Sequence, residues 1–330
     1  MTDPNVVMNS AFGKRATIYD LARLVRVSPG TISRVLNNRG RVKPETRENV
    51  LKAAAKLNLK PQVAVRCREV AIISAPAFPD RLGGYSATLT AYLAFALSKR
   101  NIGVLLPANP AVEIATMFLD AVVVVTQDRS LKPLLTEIQE RVPVIHIDKF
   151  PAGDKEHAVC SDHYGAGLLA GRHLIERGVR KPALVGVDVP AFVERLKGFK
   201  KAIVDAGLEP EPALLTLHAP DADASTSIAR VVRGGSDGIY APGSSYEGIE
   251  CLHVLTYVMG LRVPQDISLV GGENQNVSSL VTPPLTTIEE PLREIAEQTA
   301  TLLDKITSGE RLPHRRIQLP VRLIERNSVR

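Results

Sequence analysis

From Val70 onward, short apolar runs alternate with helical stretches, and this alternation limits the fold more than any other feature of the chain. The runs are Val70 to Ser74, Val104 to Pro107, Ala121 to Val125, Pro143 to Asp148, Pro182 to Val187, Leu214 to His218, Asp237 to Ala241 and Ser268 to Gly271. Strands separated by helices require the crossovers of a parallel sheet, because a tight turn joins only antiparallel neighbours. Eight such strands exceed one comfortable sheet, so two α/β lobes are expected. A further strand-like stretch runs from Arg316 to Ile324. The segment from Asn109 to Leu119 is too short for a full crossover helix.

The front of the chain is of another kind. Between Lys14 and Arg68 stand fourteen Lys or Arg against three acids, Asp20, Glu45 and Glu48, a balance of +11. The whole chain carries +6, so the remainder carries −5. A basic head on a mildly acidic body implies a polyanion bound by the head alone.

Ile18, Leu21, Ala22 and Val25 fall at i, i+3, i+4 and i+7, the apolar stripe of an amphipathic helix. Thr17 followed by Asp20 is a capping-box pattern that opens it. Ser28 suits the next N-cap and Pro29 the first helical position, where a missing N–H costs nothing. A second short helix then turns Ile32, Val35 and Leu36 inward. Asn37 to Arg41 reads as a polar loop. A third helix starts at Pro44 and Glu45, presents Val50, Leu51, Ala54 and Leu57 to the core, and ends near Asn58. Three short helices with a tight first turn make a helix-turn-helix whose second helix fits the major groove.

The stretch Ala16-Thr17-Ile18-Tyr19-Asp20-Leu21-Ala22, with Val27-Ser28, Thr31-Ile32-Ser33-Arg34-Val35-Leu36-Asn37, Val42 and Thr46-Arg47-Glu48, resembles the head of the lac repressor / galactose repressor family. In the body, Ser161-Asp162-His163-Tyr164-Gly165, His173 to Gly178, Arg195-Leu196-Lys197-Gly198-Phe199, Val263 to Ser268 and Thr282 to Ile288 are similar to that family's effector domain, which has the periplasmic-binding-protein fold. The resemblance spans nearly the whole chain. It implies an N-terminal extension over 1–14, a DNA-binding head over 15–61, a hinge over 62–69 and an effector-binding and dimerisation domain over 70–330. It places the N-lobe at about 70–155 and 285–312 and the C-lobe at about 156–284 and 313–330.

On outward positions of the head, Arg34 suits a bidentate contact to guanine O6 and N7. Thr17, Ser28, Thr31, Ser33, Asn37, Arg41 and Lys43 suit phosphate contacts that set register. Pro29 and Gly30 stand where the resembling family places base-reading side chains, and neither offers a side-chain hydrogen bond, so readout shifts toward Arg34 and DNA shape. In the hinge, Arg66 and Arg68 face DNA. Arg68 occupies the position of the family's leucine wedge, and an arginine suits a narrow minor groove without unstacking bases.

For the body, the resemblance implies a ligand in the cleft between lobes, faced by Tyr85, Asp162, Arg195 and Glu273, with a structural ion pair the alternative for Arg195 and a helix cap the alternative for Asp162. A carboxylate and a guanidinium facing hydroxyls are what sugar or nucleoside recognition needs. Two departures stand out. Pro242-Gly243 replaces the family's usual Asn-Asp pair, and Glu273-Asn274 stands where an aspartate is usual.

Gly165-Ala166-Gly167-Leu168-Leu169-Ala170 matches a dinucleotide-binding pattern, but no acidic residue closes a second strand about 20 residues on, and helix packing by small residues explains it more simply. The seven histidines show no metal-ligand spacing, and neither a Ser-His-Asp set nor a phosphate loop is present. No enzyme, cofactor or metal site is expected. Three widely spaced cysteines, the lack of an export signal and the lack of an apolar run of membrane-spanning length suit a cytoplasmic protein. The expected function is a homodimeric repressor on a pseudo-palindromic operator in double-stranded DNA, modulated by a sugar- or nucleoside-like molecule. The alternative is a DNA-binding regulator or architectural factor with no small-molecule effector, or one answering to a protein partner. With no leucine-repeat stretch after Arg316 to Ile324, a dimer and not a tetramer is expected.

Overall fold

The computed structural model describes residues 17–36, 42–57, 68–74, 84–114, 117–125, 129–148, 157–220, 222–244, 246–274, 277–308, 310 and 316–330. Two compact units divide the chain, Met1–Arg68 and Glu69–Arg330.

In the first unit, α1 (Ile18–Val25), α2 (Pro29–Leu36) and α3 (Pro44–Lys56) enclose Leu21, Ile32, Val35, Val50 and Ala54. The starts of the first two helices follow from local chemistry. Thr17 Oγ1 accepts from Asp20 N at 3.3 Å, and the Asp20 carboxylate accepts from Thr17 N at 2.8 Å, so two of the amides orphaned at the start of α1 gain partners. Ser28 Oγ accepts from Thr31 N at 3.1 Å and opens α2 with Pro29 as its first residue. Between them Arg26 adopts a left-handed φ of 56° and turns the chain sharply. In α3 the buried residues are Val50, Ala53 and Ala54, whereas Leu51, expected inward, is 48% exposed. A step of 100° per residue carries it off the i, i+3, i+4 stripe set by Val50. The helix closes at Lys56, with Leu57 as its cap.

The second unit alternates strands and helices. Its first half runs β1 (Glu69–Ile73), α4 (Tyr85–Ser98), β2 (Gly103–Leu105), α5 (Pro110–Glu113), β3 (Ala121–Val124), α6 (Lys132–Ile138), β4 (Val144–Ile147) and β5 (His157–Ser161). It continues with α7 (His163–Glu176), β6 (Pro182–Val187), α8 (Pro190–Asp205), β7 (Leu215–His218), α9 (Ala224–Arg233), β8 (Gly238–Ala241), α10 (Glu247–His253) and β9 (Ser268–Gly272). The last elements are β10 (Thr286–Glu289), α11 (Leu292–Thr307), β11 (Arg316–Leu319) and β12 (Arg322–Ile324). The shortness foreseen between Asn109 and Leu119 appears as the four-residue α5.

One sheet has the order β11-β5-β4-β3-β1-β2 and the other β12-β10-β9-β8-β6-β7. Every pairing is parallel except β12 on β10. Lobe membership differs from the boundaries expected from sequence. β5 and β11 belong to the N-lobe sheet, and β10 to the C-lobe sheet. Apolar strands of this kind suit either sheet, and only the hydrogen-bonded neighbour decides. The single strand-like stretch Arg316 to Ile324 is accordingly two strands, one in each sheet. Among the described elements the chain therefore crosses between lobes three times, after Ser161, after Glu289 and after Leu319. Returning after the second crossing, α11 packs Ile295, Ala296 and Leu303 with Leu89 and Leu93 of α4 in the N-lobe core. Each buried Leu or Ile side chain contributes about 1.5–3 kcal/mol by leaving water. Among the described residues no helix is long and apolar enough to cross a membrane.

Candidate functional site

In a parallel sheet all strands point the same way, so their carboxyl ends deliver side chains to one edge. Here β3, β4, β6, β8 and β10 are followed by Val125, Asp148, residue 188, the turn 242–244 and Glu290. Asp148, Ser244 and Glu290, together with Tyr85, His163 and Arg195, line a cavity of about 260 Å³ between the lobes. A larger neighbouring cavity of about 950 Å³ shares Tyr85, Ser86, Val187 and Glu247 with it and runs along the ends of β6, β7 and β8.

The charges in the smaller cavity are arranged around Glu290. Arg195 Nη2 donates to Glu290 Oε1 at 2.7 Å, with both side chains 4% exposed, and Ser244 Oγ donates to the same oxygen at 2.7 Å. Burial disfavours the Arg195 charge, but Glu290 beside it more than compensates and raises the guanidinium above its ordinary range. Burial likewise opposes the Glu290 charge, while Arg195 and His163, aided by Ser244, hold its carboxyl well below the ordinary value. His163 Nε2 stands 3.2 Å from Asp148 Oδ1, and its Nδ1 stands 3.9 Å from Glu290 Oε2. Asp148 adopts a left-handed φ of 53°, a strained conformation for a residue with a side chain. Besides His163, its amide donates to Val159 O at 3.1 Å, its Oδ1 accepts from Ser161 N at 3.0 Å, and its Oδ2 accepts from the Tyr85 hydroxyl.

Asp148, His163 and Glu290 offer three ligand atoms within 4.8 Å of one another, a grouping that a divalent cation accepts. Glu290 is already engaged by Arg195 and Ser244, and the guanidinium works against a second cation bound through that carboxylate.

The structure brings together two of the four residues expected to face a ligand. Tyr85 and Arg195 line the smaller cavity. The other two are placed elsewhere in the body. Asp162 caps α7, its Oδ1 accepting from Gly165 N at 2.9 Å and from Gln318 Nε2 at 2.8 Å, which ties the first lobe crossing to the third. Glu273 is buried in a bidentate pair with Arg326, at 2.8 and 3.1 Å, and also accepts from Thr287, so it fastens the C-terminal segment to the C-lobe sheet. Among the described residues lining these two cavities, neither appears. Asp148, His163, Ser244, Glu247 and Glu290 were not singled out from sequence. The available signal was a polar residue closing an apolar strand, as Asp148 closes Val144–Ile147.

The glycines that mimic a dinucleotide motif serve packing. A Cβ on Gly167 would fall 1.8 Å from the Arg195 carbonyl oxygen, and one on Gly198 would fall 1.9 Å from that of Tyr164. Backbone-to-backbone contact of α7 and α8 thus sets where Arg195 enters the cavity. Gly243, at φ 123°, lies against the Glu247 carboxylate, and its carbonyl fills the space a Cβ on Gly272 would need.

On the head, Arg34 is exposed on α2, beside the exposed Pro29 and Gly30. Thr17 and Ser28 act as helix caps, and the Thr31 hydroxyl lies 2.9 Å from that of Ser28. Ser33 is half-buried, Lys43 is exposed at the N-cap of α3, and Arg68 is half-buried just ahead of β1. Arg23, Arg26, Lys52 and Lys56 are also exposed and add to the positive surface. Asn37, Arg41 and Arg66 lie outside the described residues, as do the extension 1–14 and most of the hinge.

The model of bacterial regulatory proteins of the lacI family matches residues 17–62, and that of a periplasmic-binding-protein-like domain matches residues 172–329. The transcriptional regulator CelR of Thermobifida fusca is 30% identical over 340 residues, covering 96% of this chain and 98% of its own. The chain belongs to the LacI family. The PurR repressor of Escherichia fergusonii is 32% identical over 365 residues, covering 95% of this chain and 97% of its own. Among solved structures, a CelR–cellobiose complex matches this LacI-family chain with a TM-score of 0.70 at 26% identity, over 95% of this chain and all of the other. A lac repressor dimer bound to operator shares the fold, with a TM-score of 0.74 at 20% identity over 96% and 99% of the two chains. This LacI-family protein is a DNA-binding transcriptional regulator with a helix-turn-helix head and a two-lobed α/β body.

Proposed function

We propose that this regulator is a homodimeric repressor of a pseudo-palindromic operator, and that a sugar- or nucleoside-like molecule in the inter-lobe cleft sets its affinity for DNA. The observation that carries the reading is the set of hydrogen-bonding side chains, Asp148 and Ser244 after strand ends with Tyr85 of α4 and Arg195 of α8, around a cavity of about 260 Å³ that shares part of its lining with a larger one. Donors and acceptors in such a place match a ligand rich in hydroxyls. In the head, Arg34 reads a base, while Thr17, Ser28, Thr31, Ser33 and Lys43 position the phosphates, joined by Asn37, Arg41, Arg66 and Arg68. Tyr257, Val258 and Leu280, at 83%, 68% and 78% exposure, are apolar surface of the kind a subunit interface covers. The role is binding and not catalysis, and a cytoplasmic setting suits it.

The test is calorimetry of the full chain against a panel of sugars and nucleosides, followed by operator binding with each ligand that gives heat. One class is expected to bind and to change DNA affinity about 5- to 150-fold. No heat from any member of the panel would instead favour a regulator without a small-molecule effector.

A further inference from the structure

Glycine inside a helix lowers stability relative to alanine, so each instance asks for a physical reason. Gly165, Gly167, Gly171, Gly198 and Gly248 stand inside described helices of the body, and a Cβ on any of them would lie 3.0 Å or less from a neighbouring atom. Packing explains all five. Gly30 of α2 differs from them. It is exposed and its φ is not left-handed, and among the described residues a Cβ there would meet nothing nearer than Ser28 Oγ at 3.8 Å, an ordinary contact. The described part of the head has no packing need for a bare backbone at this position.

The place of Gly30 on the helix points to what does need it. Ile32, Val35 and Leu36 form the buried side of α2. At about 100° per residue, Gly30 and Arg34 lie one above the other on the opposite side, and both are exposed. Pro29 is exposed beside them as the first residue of the helix. Gly30 therefore shares the face that carries Arg34 to a base. The Cα of Gly30 and the ring of Pro29 leave a flat surface with no side-chain donor or acceptor, and the helix can approach closely whatever lies against it. Pressed on a major-groove edge, such a surface strips water from the polar groups of guanine, cytosine or adenine and offers no partner in return. The C5-methyl of thymine is the one apolar group on those edges.

We propose that Gly30 is a specificity-determining residue of the head: with the Pro29 ring it forms a bare apolar seat on α2 for the C5-methyl of a thymine in the operator. One helical turn is about 5.4 Å and stacked base pairs are about 3.4 Å apart, so this thymine falls within about two base pairs of the base read by Arg34. The inference rests on the reading that Arg34 brings α2 to a base, and it deepens that reading by naming a second contact.

The test uses the full chain and a duplex selected from a random pool, with thymines replaced one at a time by deoxyuridine, which removes only the methyl group. In one half-site, a single replacement near the Arg34 base pair is expected to weaken wild-type binding about fourfold, the contribution of one buried methyl. Gly30→Ala is expected to weaken binding of the thymine duplex at least about tenfold and to lose less on the deoxyuridine duplex, because two methyl groups then compete for one space. Its head amides are expected to stay as protected from hydrogen exchange as those of the wild type, or more so. Gly30→Ala binding the thymine duplex as tightly as wild type overturns the inference, as does a selected half-site in which no thymine near that base pair responds. Loss of protection in Gly30→Ala overturns it too, since the head then needs the glycine for its own packing. Arg34→Ala separates the two levels: if base preference survives that change, α2 does not read the duplex and the reading beneath falls as well.

Discussion

Arg195 sits in the interior because Glu290 is 2.7 Å away, and the reverse holds for Glu290. Each charge removed from water costs several kcal/mol, and only the partner offsets it. Glu290→Ala strands the guanidinium and is expected to destabilise the body by about 3–5 kcal/mol in urea unfolding. Because the Glu290 carboxyl is more acidic folded than unfolded, its contribution is complete above the ordinary value of 4.5 and fades as the pH falls below that value. Wild-type stability is therefore expected to drop more steeply than that of Glu290→Ala in acid titrations of the melting curve. In the head, Arg34 is the exposed α2 side chain best shaped for a guanine, since Pro29 and Gly30 have no side-chain hydrogen bond to offer a base. Arg34→Ala is expected to cost about 1–3 kcal/mol on the selected operator and to relax preference at one base pair, measured by competition against single-base variants. An equal loss across all sequences would reduce Arg34 to a phosphate contact.

At the scale of elements, α7 and α8 touch through Gly167 and Gly198, and this contact fixes the approach of Arg195 to the cleft. Gly167→Ala forces the two backbones apart and is expected to cost at least about 1–3 kcal/mol by thermal unfolding, and to weaken ligand binding even where the variant remains folded. Locally determined features were readable from sequence. The Thr17–Asp20 capping box, the Ser28–Pro29 helix start and the shortness of α5 each depend on residues a few positions apart. Features set by distant partners were not. The helix-cap reading of Asp162 was open from sequence because Gly165 lies three residues on, but its bond from Gln318 and the Glu273–Arg326 pair, formed with residues far along the chain, were not. The same blindness hid Glu290, whose importance comes from Arg195 and His163, and misassigned β5, β10 and β11 between lobes. On α3, counting apolar residues without fixing the phase of the helix turned Leu51 inward.

Over the whole molecule, charge follows the division of roles, with +11 gathered in the front segment and −5 spread over the remainder. Two units with opposite charge suit a head that alone attracts a polyanion. The most direct measurement of this account is the affinity of the full-length protein for a duplex selected from a random pool, followed through a salt titration. If the head clasps the phosphate backbone, log affinity falls linearly with log salt, and six or more phosphate contacts weaken binding about 10³-fold or more between 50 and 200 mM. A duplex that stays unbound in dilute buffer, or an affinity indifferent to salt, would contradict it.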